Sequence, residues 1–169
     1  MTKALLVIDM QEICVGNNHA KNFKYDCERL IESVNGIIEH NHNADNTVVY
    51  ILNIMKKNLI NKFAPFQVYD NSPESALVNG LKIVSDNKFV KYKGDAFSNP
   101  DLDKFLKANS IDTVEVVGVD GGACIPMTAL GAVRNGYKVI VNTNGIGTTF
   151  IKRKEKYDIK LKQLDVEFR

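Results

Sequence analysis

The chain has 169 residues, 44% of them hydrophobic, and its 22 basic and 20 acidic side chains leave a net charge of +2. That length supports one substantial core over residues 1–169 but not two ordinary domains, and the near-neutral balance supplies no field to steer nucleic acid or an anionic membrane. No apolar run approaches the roughly 20 residues of a membrane span, and three cysteines at 14, 27 and 124 lack disulfide-framework or zinc-site spacing, so the expectation is a cytoplasmic protein with free thiols and a small-molecule partner.

Along the chain, nearly continuous Val, Ile and Leu at 4–8, 47–52, 113–119 and 138–141 predict strands buried on both faces, and shorter strands are expected at 89–90 and 166–168. Between the first two, Phe23, Cys27, Leu30, Ile31, Val34, Ile37 and Ile38 fall at helical spacing, which defines one apolar face of a long helix. Asn99-Pro100 supplies an N-cap and a first-turn proline for a helix burying Leu102, Phe105 and Leu106. A further helix opens at Cys124 and ends at Asn135-Gly136, and the last carries Ile151, Ile159, Leu161 and Leu164. This alternation predicts a three-layer, Rossmann-like α/β fold: a six-stranded, mainly parallel sheet with helices on both faces.

Three residues stand at or just past predicted strand ends, where sites form in open α/β sheets. Asp9 follows 4–8, Lys91 follows 89–90, and Cys124 follows 113–119 after the bend Asp120-Gly121-Gly122-Ala123. A free thiol is a few per cent thiolate at neutral pH. A helix N-terminus favours the thiolate, a nearby aspartate opposes it, and a lysine beside both lets thiolate and carboxylate coexist. The trio therefore points to nucleophilic chemistry, with Asp9 taking the thiol proton, Lys91 holding the charges and Cys124 attacking a carbonyl carbon. Glycines 121 and 122 are expected to let main-chain N–H groups approach the oxyanion. Cys14 and Cys27 read as structural.

Leu5-Leu6-Val7-Ile8-Asp9-Met10-Gln11, Val90-Lys91-Tyr92-Lys93-Gly94-Asp95-Ala96-Phe97 and Gly118-Val119-Asp120-Gly121-Gly122-Ala123-Cys124-Ile125, with Gly136-Tyr137-Lys138-Val139 beyond, resemble the isochorismatase-like cysteine hydrolases, which include nicotinamidases and N-carbamoylsarcosine amidases. The resemblance implies a catalytic triad of Asp9, Lys91 and Cys124, cleavage of an amide or carbamoyl C–N bond, and a homo-oligomer. It also implies a non-proline cis peptide at Asp120-Gly121 and an oxyanion hole from the N–H groups of Asp120 and Cys124. Gln11, Cys14, Asn53 and Phe97 are the expected pocket residues. The nicotinamidase Asp-x-His metal motif has no counterpart in 52–57, so neither a metal nor an organic cofactor is expected. Two alternatives stand beside this reading: vinyl-ether hydrolysis of an isochorismate-type substrate, and a non-catalytic module binding a nucleotide, a phosphate or a partner.

Overall fold

The computed structural model describes residues 2–56 and 68–169; Lys57, the last residue of the stretch lacking the metal motif, lies outside them. Six parallel strands form one sheet: β1 (Lys3–Ile8), β2 (Thr47–Asn53), β3 (Lys88–Lys91), β4 (Thr113–Val119), β5 (Lys138–Gly147) and β6 (Glu167–Phe168). Their order is β3-β2-β1-β4-β5-β6. The chain thus winds outward from β1 in one direction and from β4 in the other, so the switch point lies between these two central strands.

Helices cover both faces, as near-continuous apolar strands require. Ala4, Leu6 and Ile8 of β1 pack into a core with α3 (Pro100–Ala108), α4 (Cys124–Arg134) and α5 (Ile151–Lys162). Leu5 and Val7 alternate onto the other face, against α2 (Cys27–Asn43) and the short α1 (Glu12–Val15). The helix boundaries follow local chemistry. Asp26 accepts a hydrogen bond from the Arg29 N–H and starts α2 there, which leaves Phe23 outside the helix although it belongs to the same core. Asn99 caps α3 through the Asp101 N–H, and Gly136, at φ 87°, lies just past the end of α4 in the left-handed region.

β5 runs past its expected end at 141. After a bulge opposite Val116 to Gly118, Ile146 and Gly147 resume pairing with Gly118 and Val119. Asn142-Thr143-Asn144-Gly145 crosses the bulge, and that extension brings the β5–α5 loop up to the carboxyl edge. At Gly118, with φ +112°, a Cβ would lie 2.0 Å from the Ile8 carbonyl oxygen. Glycine is what allows β4 to approach β1 closely just below the site.

Candidate active site

Asp9, Lys91 and Cys124 come together at the carboxyl edge. Asp9 leaves β1 with φ 54°, a left-handed conformation that aspartate tolerates, and its N–H donates to the Ile51 carbonyl at 3.0 Å. Lys91 is the last residue of β3, two strands from Asp9, and its side chain spans that gap. Its ammonium donates to Asp9 Oδ2 at 2.9 Å and to Cys124 Sγ at 3.2 Å. Acid and sulfur therefore share one buried cation. The other carboxylate oxygen, Asp9 Oδ1, has no hydrogen-bond partner of good geometry among the described residues.

The charge states follow from these surroundings. Burial alone would lower the Lys91 ammonium, but Asp9 and Cys124 beside it outweigh burial and its pKa is raised. Lysine stays protonated. At Cys124, burial comes first and the Asp9 charge second, and together they overcome Lys91 and push the thiol up to about 12. These surroundings favour the thiol over the thiolate, against the expectation that Lys91 and the helix N-terminus hold a thiolate beside the carboxylate. Desolvation at the closed base of the cavity decides the balance.

A cavity of about 120 Å³ opens beside the sulfur. Asp9, Gln11, Cys14, Asn53, Asp120 and Cys124 line it together with the apolar groups of Ile13, Phe23, Tyr25, Val68, Val119, Ala123 and Phe150. Of the four expected pocket residues, Gln11, Cys14 and Asn53 line this cavity and Phe97 does not: its ring packs on Tyr137, centroids 5.6 Å apart, at the core beneath the sheet. The three residues turning after Asp95 seat Phe97 against α4 instead of the cavity. Gln11 is fully buried, and its amide is committed. Nε2 donates to the Ser75 and Asn53 carbonyls, and Oε1 accepts from the Asn53 N–H, tying the ends of β1 and β2 together.

The loop between β4 and α4 is fixed by an unforeseen hub. The non-proline cis bond is Val119–Asp120, one residue earlier than the expected Asp120-Gly121. Val119 still pairs with Gly147, and the chain turns off the ladder at Asp120 itself. The Asp120 side chain, 5% exposed, accepts from the Gly122 N–H at 2.6 Å, the Thr149 N–H at 2.5 Å and the Tyr25 hydroxyl at 3.0 Å. A Cβ on Gly121 would meet Thr148 Oγ1 at 2.3 Å, and one on Gly122 the Phe150 carbonyl oxygen at 2.3 Å. These glycines therefore admit the β5–α5 loop, not a ligand, and that packing removes the phosphate cradle a nucleotide-binding module needs. The N–H groups of Gly121, Ala123 and Ile125 are engaged with Gly147 and Asp120 carbonyls. Among the described residues those of Asp120 and Cys124 donate to no protein acceptor. Tyr25 and Phe150 were missed in sequence because they sit in connections without periodicity, and Phe23 because its helical spacing read as core alone; the one available signal was aromatic residues flanking helix starts.

Among the described residues no three His, Cys, Asp or Glu side chains cluster as ligands, and residues 57–67 contain none of these types.

A doubly wound parallel sheet with an acid, an ammonium and a thiol gathered at its switch point defines the class, an α/β enzyme of Rossmann-like architecture. Residues 3–166 match the isochorismatase domain, and the chain belongs to the isochorismatase family of hydrolases. An isochorismatase-like hydrolase from Alkaliphilus metalliredigens is 27% identical, covers 99% of this chain and 94% of its own, and superposes with a TM-score of 0.85. A zinc-complexed pyrazinamidase of Pyrococcus horikoshii is 20% identical over 100% of this chain and 99% of its own, TM-score 0.84. An N-carbamoylsarcosine amidase from Thermoplasma acidophilum is 21% identical over 100% and 96%, TM-score 0.82. Among curated proteins, none matches the sequence closely enough to count as a relative. No helix among the described residues is long and apolar enough to cross a membrane.

Proposed function

We propose that this chain cleaves the C–N bond of a small amide or carbamoyl compound through a thioester on Cys124, with Asp9 as general base and acid and Lys91 as their electrostatic partner. The observation that carries the reading is the single Lys91 ammonium bonded to both the Asp9 carboxylate and the Cys124 sulfur beside the cavity. A thiol pushed up to about 12 is not ionised in advance, so its proton leaves as the sulfur attacks. Asp9, with one oxygen unpartnered, is the acceptor.

As the S–C bond forms, negative charge develops on the carbonyl oxygen, and the N–H groups of Asp120 and Cys124, uncommitted among the described residues, are its proposed receivers. Asp9 then passes its proton to the departing nitrogen as the C–N bond breaks. Water attacks the thioester with Asp9 again as base, which releases the acid and restores the thiol. Lys91 holds Asp9 in place throughout and offsets its charge as the sulfur becomes an anion.

The test is ammonia release from a panel of small carboxamides and carbamoyl compounds, with Cys124→Ala alongside. The reading expects turnover by the native protein, none by the variant, and an acyl adduct on Cys124 by mass spectrometry. Undiminished activity of Cys124→Ala on an isochorismate-type vinyl ether would instead favour the reaction that needs no thiol. The same reading carries a homo-oligomer in a cytoplasmic setting, and sedimentation of the purified chain tests the assembly.

A further inference from the structure

Two carboxylates border the cavity, and they are neutralised differently. Asp9 faces the Lys91 ammonium at 2.9 Å. Asp120 forms no ion pair among the described residues; its three partners are two backbone N–H groups and a neutral phenol. Hydrogen bonds from neutral donors hold a carboxylate in place and leave its charge uncancelled. Tyr25, which donates to it, is raised first by burial and then by the Asp120 charge. Cys14 across the cavity is raised too, by burial first and with Asp120 among the smaller causes. The remaining described wall is mostly apolar, and no Lys, Arg or His lines it among the described residues. In such surroundings an anion placed beside Asp120 is poorly screened.

From this we infer that Asp120 is a specificity-determining residue which excludes negatively charged acyl groups, so that the preferred substrates are small amides without a carboxylate. This rests on the hydrolytic reading above and deepens it. The volume of about 120 Å³ is well below the roughly 300–1,000 Å³ of pockets for drug-sized ligands, so the acyl group is small as well as uncharged or cationic.

Iodoacetamide and iodoacetate test the charge filter without requiring a known substrate. Both carry the same iodomethyl carbon to a thiol and release iodide as the S–C bond forms, but only iodoacetate is an anion. The readout is the ratio of their alkylation rates at Cys124, followed by peptide mass mapping and divided by the ratio for free cysteine. Native protein is expected to favour iodoacetamide by a further factor on the order of ten to a hundred. Asp120→Asn is expected to bring the ratio back toward that of free cysteine, and Tyr25→Phe, which removes a hydrogen bond but keeps the charge, to preserve it. A native ratio equal to that of free cysteine overturns the inference even if Asp120→Asn does not fold. So does a folded Asp120→Asn that keeps the full discrimination. Loss of amide turnover, by contrast, bears on the hydrolytic reading, because the alkylation ratio reads the cavity's charge whether or not a substrate is found.

Discussion

Lys3 and Glu115 join β1 to β4 by an ion pair of 2.6 Å, and Lys91 and Asp9 join β3 to β1 by one of 2.9 Å. In the first pair both acid oxygens are satisfied, Oε2 by Lys3 and Oε1 by the Asn142 amide. In the second, Oδ1 of Asp9 is left without a good partner while the ammonium divides itself between acid and sulfur. Burial pushes Glu115 upward, but the hydrogen bonds from Lys3 and Asn142 outweigh it, so its pKa is lowered. A pair whose bonds are all made is a structural tie; a pair with an unmet acceptor beside a thiol has capacity left for a proton. The same two residue types thus serve different ends within one sheet.

The largest expected effect separates the pairs by activity. Asp9→Asn keeps the size of the side chain but removes the proton acceptor, and it should lower hydrolysis by about 10²–10⁴-fold. Glu115→Gln lies outside the cavity and should leave the rate per folded molecule unchanged. Steady-state kinetics on the best amide from the panel compares the two directly, and equal losses would erase the distinction.

Stability should divide them the other way round from intuition about completeness. Lys91 is wholly buried in its side chain, whereas that of Lys3 is 17% exposed. Lys91→Met leaves Asp9 as an uncompensated buried charge and should cost about 3–5 kcal/mol, with part of that recovered in the double variant Lys91→Met/Asp9→Leu. Lys3→Met leaves Glu115, as buried as Asp9, its bond from the Asn142 amide, and should cost about 1–3 kcal/mol. Urea unfolding of the three variants measures both, and a Lys91→Met protein as stable as the native chain would mean that Asp9 is neutral there.

The completed features were also the more legible ones in sequence. Runs such as Leu5-Leu6-Val7-Ile8 and Val114 to Val119 announce doubly covered strands by composition alone, and the strand ends pointed to Asp9, Lys91 and Cys124 because charged or reactive groups break apolar runs there. What composition could not carry was desolvation, which sets the protonation of Cys124 and depends on how tightly three elements close over it. Nor could it carry the far side of the cavity. Tyr25, Thr149 and Asp120 are separated by up to 124 positions and meet only because β5 crosses a bulge and resumes its ladder. Phe97 misled for the converse reason: a short turn after Asp95 decides which face of the sheet it joins, and nothing periodic marks that turn.

The pairs should finally part company with pH, and in opposite directions. Glu115 has a folded pKa below its ordinary 4.5, so its contribution to stability is complete above 4.5 and is lost as pH falls through the folded value. Cys124 rises from an ordinary 9.0 to about 12; its contribution is complete below pH 9.0 and declines up to about 12, while the unfolded chain has released a proton that the folded one retains. A single group of this kind changes stability by at most about 1.4 kcal/mol per pH unit. Cys14, Tyr25 and Lys91 are also raised and steepen the alkaline limb, so the informative quantity is the difference between native protein and Cys124→Ser. That variant should flatten the alkaline limb alone, and Glu115→Gln the acid limb alone. If Cys124→Ser left the alkaline limb unchanged, the sulfur would already be ionised at rest, and Asp9 would have no proton to collect from it.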